Sequence, residues 1–139
     1  MPYRLEAGTP NLPGIAGLLA GIRWTKGKDA LVHERRLLQR FARGIEGTDF
    51  VWYRPSEGIG VVSLRHPVGG VQELATILDS EYHIASRAGL QCAPLAHKKL
   101  GTFPEGTLRL SFSLWHTDED IDYLIEALTT IDKLLKQGG

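Results

Sequence analysis

The strongest constraint on the fold lies in the last third of the chain. There, apolar side chains first recur at every second residue and then at every third or fourth residue. Residues 107–115 alternate apolar and polar side chains, which predicts a strand with one buried face. An amphipathic helix follows, with Thr117 as its N-cap and Asp120 at the capping-box position. This succession predicts a layered fold in which a helix packs on a sheet.

The segments upstream complete an order of helix, helix, strand, strand, helix, strand, strand, helix. Helices are predicted over 12–22, 28–45 and 71–80, and strands over 50–53, 59–64 and 83–87. The first two strands flank a short Pro-Ser-Glu-Gly turn, which predicts an antiparallel hairpin. In the second helix, Leu31, Leu38 and Phe41 fall on the stripe expected to face the core. We therefore expect a two-layer α+β domain, with an antiparallel sheet and helices on one face.

The helix predicted over 12–22 carries small or apolar residues on nearly every face. Asn11 suits its N-cap and Pro13 its first turn. A helix that is apolar all round needs burial on all sides, so this one is expected to meet a partner surface. We place the boundary after it: residues 1–27 join another body, and residues 28–139 form the small α+β domain.

Composition excludes several classes of protein. Sixteen basic and sixteen acidic residues cancel within 139 residues, so no nucleic-acid partner is expected. A single cysteine excludes an intrachain disulfide and fits a reducing cytoplasm. The histidines lack metal-ligand spacing, and we predict no metal site. The apolar run at 12–22 is too short to span a bilayer, so no membrane partner is expected.

That cysteine, Cys92, lies in a loop rich in glycine and proline, close in sequence to Arg87, His97 and Lys98. Cationic neighbours lower the pKa of a thiol and favour the nucleophilic thiolate. One interpretation is therefore a nucleophile on a loop. The alternative is a structural cysteine, and the local sequence leaves both open.

Three further features allow a functional or a structural interpretation. Arg109, in a strand rich in apolar residues, could hold a carboxylate in a bidentate fork, or could simply face solvent. Residues 6–11 precede a helix start and could bind an anion, or could serve only as a turn and cap. Lys98 could form a Schiff base, although a solvated basic loop is the favoured interpretation.

Three ordered segments carry a family resemblance. Residues 6–11 (E-A-G-T-P-N), 87–93 (R-A-G-L-Q-C-A) and 108–111 with 116–122 (L-R-L-S and H-T-D-E-D-I-D) resemble motifs of the class V aminotransferase-fold cysteine desulfurases. These are pyridoxal-phosphate enzymes, related to selenocysteine lyases, that take sulfur from cysteine. The order and spacing agree over essentially the whole chain. The resemblance implies the small domain of a fold-type I pyridoxal-phosphate enzyme.

The resemblance also implies roles for individual residues. Cys92 would attack the substrate sulfur and become a persulfide, and Arg109 would hold the substrate carboxylate. Arg87 would lie at the mouth of the active site, and Thr9 would reach the cofactor phosphate of the neighbouring subunit in a homodimer. Gln91 departs from the family, which often has histidine before the cysteine.

The family's cofactor lysine belongs to an S-x-H-K-type motif upstream of the segment that matches residues 6–11. This chain begins just before that segment, so we expect it to bind no pyridoxal phosphate and to be inactive alone. The longer protein would turn cysteine into alanine and pass sulfur to an acceptor protein. Its partners would be the missing large domain and a second copy. The alternatives are a stand-alone sulfur-relay module that accepts sulfur on Cys92, and a non-catalytic interaction domain.

Overall fold

Four short strands form one antiparallel sheet in the computed structural model, which describes residues 8–54 and 58–138. The strands are β1 (Val51–Trp52), β2 (Val61–Arg65), β3 (Arg87–Gly89) and β4 (Thr107–Ser111), and their order across the sheet is β1-β2-β4-β3. All three pairings are antiparallel. The predicted hairpin is confirmed by the pairing of β1 with β2, and residues 55–57 of its turn lie outside the described residues. The predicted α+β class is confirmed.

Five helices accompany the sheet within residues 8–54 and 58–138. They are α1 (Leu12–Thr25), α2 (Ala30–Gly44), α3 (Val71–Tyr82), α4 (Pro94–Leu100) and α5 (Asp118–Gly138). Helix α4 replaces a segment expected to be a loop. It starts at Pro94, whose fixed φ suits a first turn, and is followed by the C-cap Gly101 in the left-handed conformation. At seven residues, it is too short for a clear helical period to appear in the sequence.

The core lies between one face of the sheet and helices α2, α3 and α5. Alternate strand residues point into it, and each helix contributes an apolar stripe. Members of this core include Leu37, Leu38, Phe41, Val62, Leu64, Leu74, Leu78, Leu108, Leu110, Ile121 and Leu128. Leu31 was expected here but is exposed. It lies in the first turn of α2, and the buried part of that helix begins only at Leu37.

The predicted capping box of α5 is confirmed. The Thr117 amide donates to Asp120 Oδ2 at 2.8 Å, and the Asp120 amide donates to Thr117 Oγ1 at 3.3 Å. The preceding strand is shorter than predicted and ends at Ser111. Beyond it the chain folds into a turn, in which the Ser113 amide donates to His116 Nδ1 at 3.0 Å.

Helix α1 stands apart from the core. Its predicted N-cap is confirmed, because Asn11 Oδ1 accepts from the Gly14 amide at 3.0 Å. None of its residues is buried by the parts of the chain that the structure describes, and Leu12 and Leu18 are 66% and 65% exposed. Near its C-terminal end, Trp24 stacks on Trp115 with ring centroids 4.2 Å apart. The helix therefore presents an apolar surface to solvent.

Across residues 8–54 and 58–138, none of the helices is both long enough and apolar enough to cross a bilayer.

Candidate functional site

The sheet face opposite the core carries two arginines on neighbouring strands. Arg109 lies in β4, between Leu108 and Leu110, which point into the core. Strand alternation therefore puts Arg109 on the other face. The register sets Arg87 of β3 directly opposite Arg109, with Ser63 of β2 on its other side. Two residues that the sequence separates by more than twenty positions are thus adjacent on one surface.

This arginine pair suits a bound anion. Like charges placed directly opposite on antiparallel strands are destabilising. Arg109 Nε is buried and has no hydrogen-bond partner among the described residues, whereas Arg87 is exposed. A carboxylate accepts two parallel N–H bonds from a guanidinium and would offset the repulsion. The pair therefore offers N–H donors that a carboxylate or a phosphate can accept.

Cys92 sits at the tip of a tight turn that follows β3. The Ala93 amide donates to the Leu90 carbonyl oxygen at 2.9 Å, and the two residues between them, Gln91 and Cys92, have φ angles of +51° and +62°. Positive φ at both central positions is typical of the mirror-image type I′ turn. The thiol is free and its residue exposed, so Cys92 does not fill the core, and its role as a nucleophile stays a prediction.

Gln91 ties this turn to the sheet. Its side-chain nitrogen Nε2 donates to the carbonyl oxygens of Arg87 and Thr107, each at 3.0 Å. These acceptors belong to β3 and β4, so one carboxamide bridges both strands. Local sequence patterns did not predict this contact. Its only signal was that Gln91 stands where the family often has histidine.

A pocket of about 490 Å³ lies between α4 and the open face of the sheet. Polar side chains around it include Tyr53, Ser63, Gln91, His97 and Thr107. His97 is buried, and its Nδ1 lies 2.7 Å from Thr102 Oγ1. This pocket borders the Gln91 side of the cysteine turn, and the residues around it do not include Cys92, Arg87 or Arg109.

The structure gives Lys98 the environment of a solvated side chain. The residue is exposed, and its Nζ lies 5.1 Å from the centroid of the Phe103 ring. Every lysine of the chain falls within the described residues, and each is exposed. A Schiff-base lysine is usually activated by desolvation or by a neighbouring cation. No described lysine has the buried environment that would desolvate it.

Thr9 lies apart from the arginine pair in sequence and in contacts. It is exposed, two residues before the N-cap Asn11, and makes no side-chain hydrogen bond within the described part of the chain. Residues 6 and 7 of its motif lie outside the described residues. The structure brings Arg87 and Arg109 together, and Cys92 follows the strand that carries Arg87.

A second polar cluster joins the start of β1 to α5. Ligand atoms of Asp49, His66 and Asp132 lie within 4.8 Å of one another. The Lys136 ammonium lies 2.8 Å from Asp132 and 3.1 Å from Asp49, and His66 Nε2 lies 3.1 Å from Asp132. The cluster therefore has a cation of its own and links distant segments. Sequence spacing could not reveal it, because its members are up to 87 positions apart.

Burial alone raises the pKa of the Asp132 carboxyl. Hydrogen bonds from Lys136, from the Asp49 backbone amide and from His66 outweigh that effect and hold the pKa below its usual range. His66 Nδ1 accepts from two backbone amides, so the ring hydrogen sits on Nε2 and points to Asp132. The cluster is an ion-pair network with a structural role.

The family model "Aminotransferase class-V" matches residues 1–124, and the chain belongs to that family. Within it, the chain is similar to cysteine desulfurases. A Pyrococcus abyssi protein named "Probable cysteine desulfurase" is 35% identical over 99% of this chain.

Solved structures agree. The chain superposes on the cysteine desulfurase of Thermococcus onnurineus with a TM-score of 0.82 and 34% identity over 98% of its length. The chain also superposes on the cysteine desulfurase CsdA of Escherichia coli, which was solved in an S-sulfonic acid form. That superposition has a TM-score of 0.81 and 31% identity over 96% of this chain. The chain covers 34% and 33% of those two proteins, and about a third of the curated relatives it matches.

Proposed function

We propose that this chain supplies the sulfur-accepting and carboxylate-binding side of a cysteine desulfurase. The observation that carries the proposal is the register of β3 and β4, which sets Arg87 opposite Arg109. Arg87 lies on β3, the strand that leads into the Cys92 turn. Similarity to cysteine desulfurases over nearly the whole chain supports the substrate class. The substrate is L-cysteine and the carbon product is alanine.

Each residue has a distinct task in this proposal. Arg109, with Arg87 beside it, binds the substrate carboxylate and fixes the position of the amino acid. The Cys92 thiolate then attacks the substrate sulfur. An S–S bond forms while the C–S bond of the substrate breaks, and its electron pair remains on carbon. Cys92 holds the sulfur as a persulfide until an acceptor protein removes it.

Pyridoxal phosphate, when bound, supplies the electron sink for the carbon that loses sulfur. The described residues do not fit the whole of that group, because every lysine is exposed and none is placed as a Schiff-base partner. In our proposal the cofactor lysine belongs to another part of the protein, and this chain alone does not turn over cysteine. Thr9 would contribute to the phosphate site of the neighbouring subunit.

The exposed apolar surface of α1 supports the proposal that a partner packs against this helix. Apolar patches of this kind mark interfaces, and none of the residues of α1 is buried by the described part of the chain. We assign residues 1–27 to contact with the large domain and with a second copy of the protein. Residues 28–139 form the small domain in this proposal. An unpaired thiol such as Cys92 persists in a reducing cytoplasm, where we locate the protein.

Alkylation of Cys92 tests the proposed arrangement. Iodoacetate and iodoacetamide both react as the thiolate sulfur forms a bond to the CH₂ group and iodide leaves. Only iodoacetate carries a carboxylate, so the arginine pair should favour it. We expect Arg109→Gln to lower the ratio of iodoacetate to iodoacetamide rates about tenfold, since a charged hydrogen bond contributes roughly 1.5–3 kcal/mol. An unchanged ratio would contradict the proposal.

A second measurement tests the inactivity of the chain alone. The chain is incubated with pyridoxal phosphate and L-cysteine, and sulfide is measured. We expect no sustained release. Robust turnover that is lost in Cys92→Ser would show that the chain holds a complete active site, and would contradict this part of the proposal.

A further inference from the structure

We propose that Gln91 is a positioning residue, whose side chain clamps the Cys92 turn onto strands β3 and β4. This inference rests on the proposed function, because it assigns Gln91 the task of aiming the thiol that accepts sulfur. The clamp itself is a geometric feature that can be measured without any reaction.

The hydrogen bonds of Gln91 use all that its amino group can donate. A carboxamide NH₂ has two N–H groups, and Nε2 gives one to the Arg87 carbonyl and one to the Thr107 carbonyl, each at 3.0 Å. Both acceptors are main-chain atoms of paired strands, in which Gly89 is opposite Thr107. The turn is therefore attached to backbone, which is more rigid than any side-chain partner.

The backbone of the turn needs such a fixing contact. Gln91 and Cys92 are consecutive residues with positive φ, and neither is glycine. A non-glycine residue is disfavoured in the left-handed region, because its Cβ lies too close to the backbone carbonyl oxygen. Among the described residues, the Leu90–Ala93 hydrogen bond is the only backbone hydrogen bond that closes the turn. Without the carboxamide, we expect the turn to open into more relaxed conformations.

The position of the clamp links it to the arginine pair. One of its acceptors is the carbonyl oxygen of Arg87 itself, and the other follows Gly106 at the entrance to the strand of Arg109. Movement of the turn relative to these strands changes the placement of the Cys92 thiol relative to the carboxylate site. Gln91 thus acts through Cys92 and does not itself need to touch the substrate.

Two substitutions separate the clamp from backbone strain. Gln91→Met keeps the length and neutral charge of the side chain but removes both donors. Gln91→Gly also removes them and relieves the positive φ. Gln39→Ala, on the exposed surface of α2, is the control for loss of a glutamine amide. Circular dichroism checks that each variant is folded.

The first readout is hydrogen exchange of the Ala93 amide, the donor of the turn's own hydrogen bond. We expect exchange about tenfold faster in Gln91→Met, because both side-chain hydrogen bonds are lost while the positive φ remains. In Gln91→Gly we expect a smaller increase, because glycine adopts a positive φ without strain. Amides of β4 should keep their protection. Unchanged exchange at Ala93 in both variants would overturn the clamp.

The second readout is the iodoacetate-to-iodoacetamide ratio at Cys92. We expect it to fall several-fold in both Gln91 variants, with the iodoacetamide rate changed by no more than about twofold, and to stay unchanged in Gln39→Ala. Faster exchange with an unaltered ratio would mean that Gln91 holds the turn without aiming the thiol, and would overturn the positioning role. If Arg109→Gln leaves the ratio unchanged, the proposed function fails, and exchange at Ala93 still decides on the clamp.

Discussion

Arg87 and Arg109 face each other across the β3–β4 ladder with no acidic residue opposite either of them in the register. Like charges in this arrangement are destabilising by roughly 0.2–1 kcal/mol. We therefore predict that Arg87→Thr raises the free energy of unfolding by a few tenths of a kcal/mol, measured by urea denaturation at low salt. The gain should shrink at high salt, because exposed charges are then screened.

A loss of stability in Arg87→Thr at low salt would contradict this description of the pair. The proposed function adds a second expectation for the same variant: weaker carboxylate selectivity at Cys92. A change that stabilises the chain while it weakens the site is typical of residues retained for binding.

The Asp132 network predicts an acid-sensitive contribution to stability. The native pKa of Asp132 is lowered from its usual 3.8, so the native state resists protonation more than the unfolded chain does. This contribution is complete above the unfolded pKa and is lost as the pH falls through the native one. We predict that Asp132→Asn destabilises the chain by about 1–3 kcal/mol at neutral pH and flattens the decline of stability below about pH 4.

The measurement is urea unfolding across that pH range. Asp79→Asn provides the control, since Asp79 is exposed and its carboxylate has no hydrogen bond within the described residues. If the free energy of unfolding of Asp132→Asn fell with pH as steeply as that of the parent chain, other carboxylates would dominate the acid sensitivity.

Where the signal was local, the sequence predicted the structure well. Alternation around Leu108 and Leu110 predicted the central strand, and the Thr117 capping box predicted the start of α5, because both depend on residues within one turn or one ladder position. Very short elements, and the burial of residues that depends on distant parts of the chain, were not predictable. Helix α4 is too short to show a period, and Leu31 is exposed although it shares the spacing of Leu38.

The candidate site divides in the same way. The resemblance selected Cys92, Arg87 and Arg109, but only the strand register reveals that the two arginines are neighbours. The Gln91 clamp depends on a carbonyl sixteen residues away. The Asp132 network links segments far apart in sequence. Such contacts are set by tertiary packing, and no local pattern encodes them.

Close packing of Gly106 against Gly89 predicts unequal effects of two similar substitutions. Gly106 and Gly101 both have positive φ, but a Cβ on Gly106 would overlap the Gly89 backbone, whereas one on Gly101 would meet open space. Gly101→Ala should destabilise the chain by about 1–2 kcal/mol from backbone strain. Gly106→Ala adds an overpacking penalty of about 1–3 kcal/mol. Thermal unfolding compares them, and equal effects would contradict the close approach of β3 and β4.

The stack of Trp24 on Trp115 predicts that one contact governs the placement of α1. Aromatic pairs contribute about 0.5–1.5 kcal/mol beyond burial, and no residue of α1 is buried by the described part of the chain. In Trp115→Ala we expect faster hydrogen exchange in α1 and an unchanged unfolding temperature of the α+β domain. Trp115→Phe, which keeps a ring, should retain most of the protection. Exchange in α1 that is no faster in Trp115→Ala than in the parent chain would show that α1 is held by other contacts.

Sulfur transfer to Cys92 can be measured in a chimaera that holds a complete active site. Residues 8–138 replace the matching third of the Thermococcus onnurineus cysteine desulfurase, and the purified protein is incubated with pyridoxal phosphate and L-cysteine. Mass spectrometry of the peptide that contains Cys92 then measures its persulfide. We predict one added sulfur on Cys92, with alanine formed, and loss of both in Cys92→Ser. A folded chimaera that binds the cofactor but leaves Cys92 unmodified, or that forms alanine equally well with Cys92→Ser, would contradict the account.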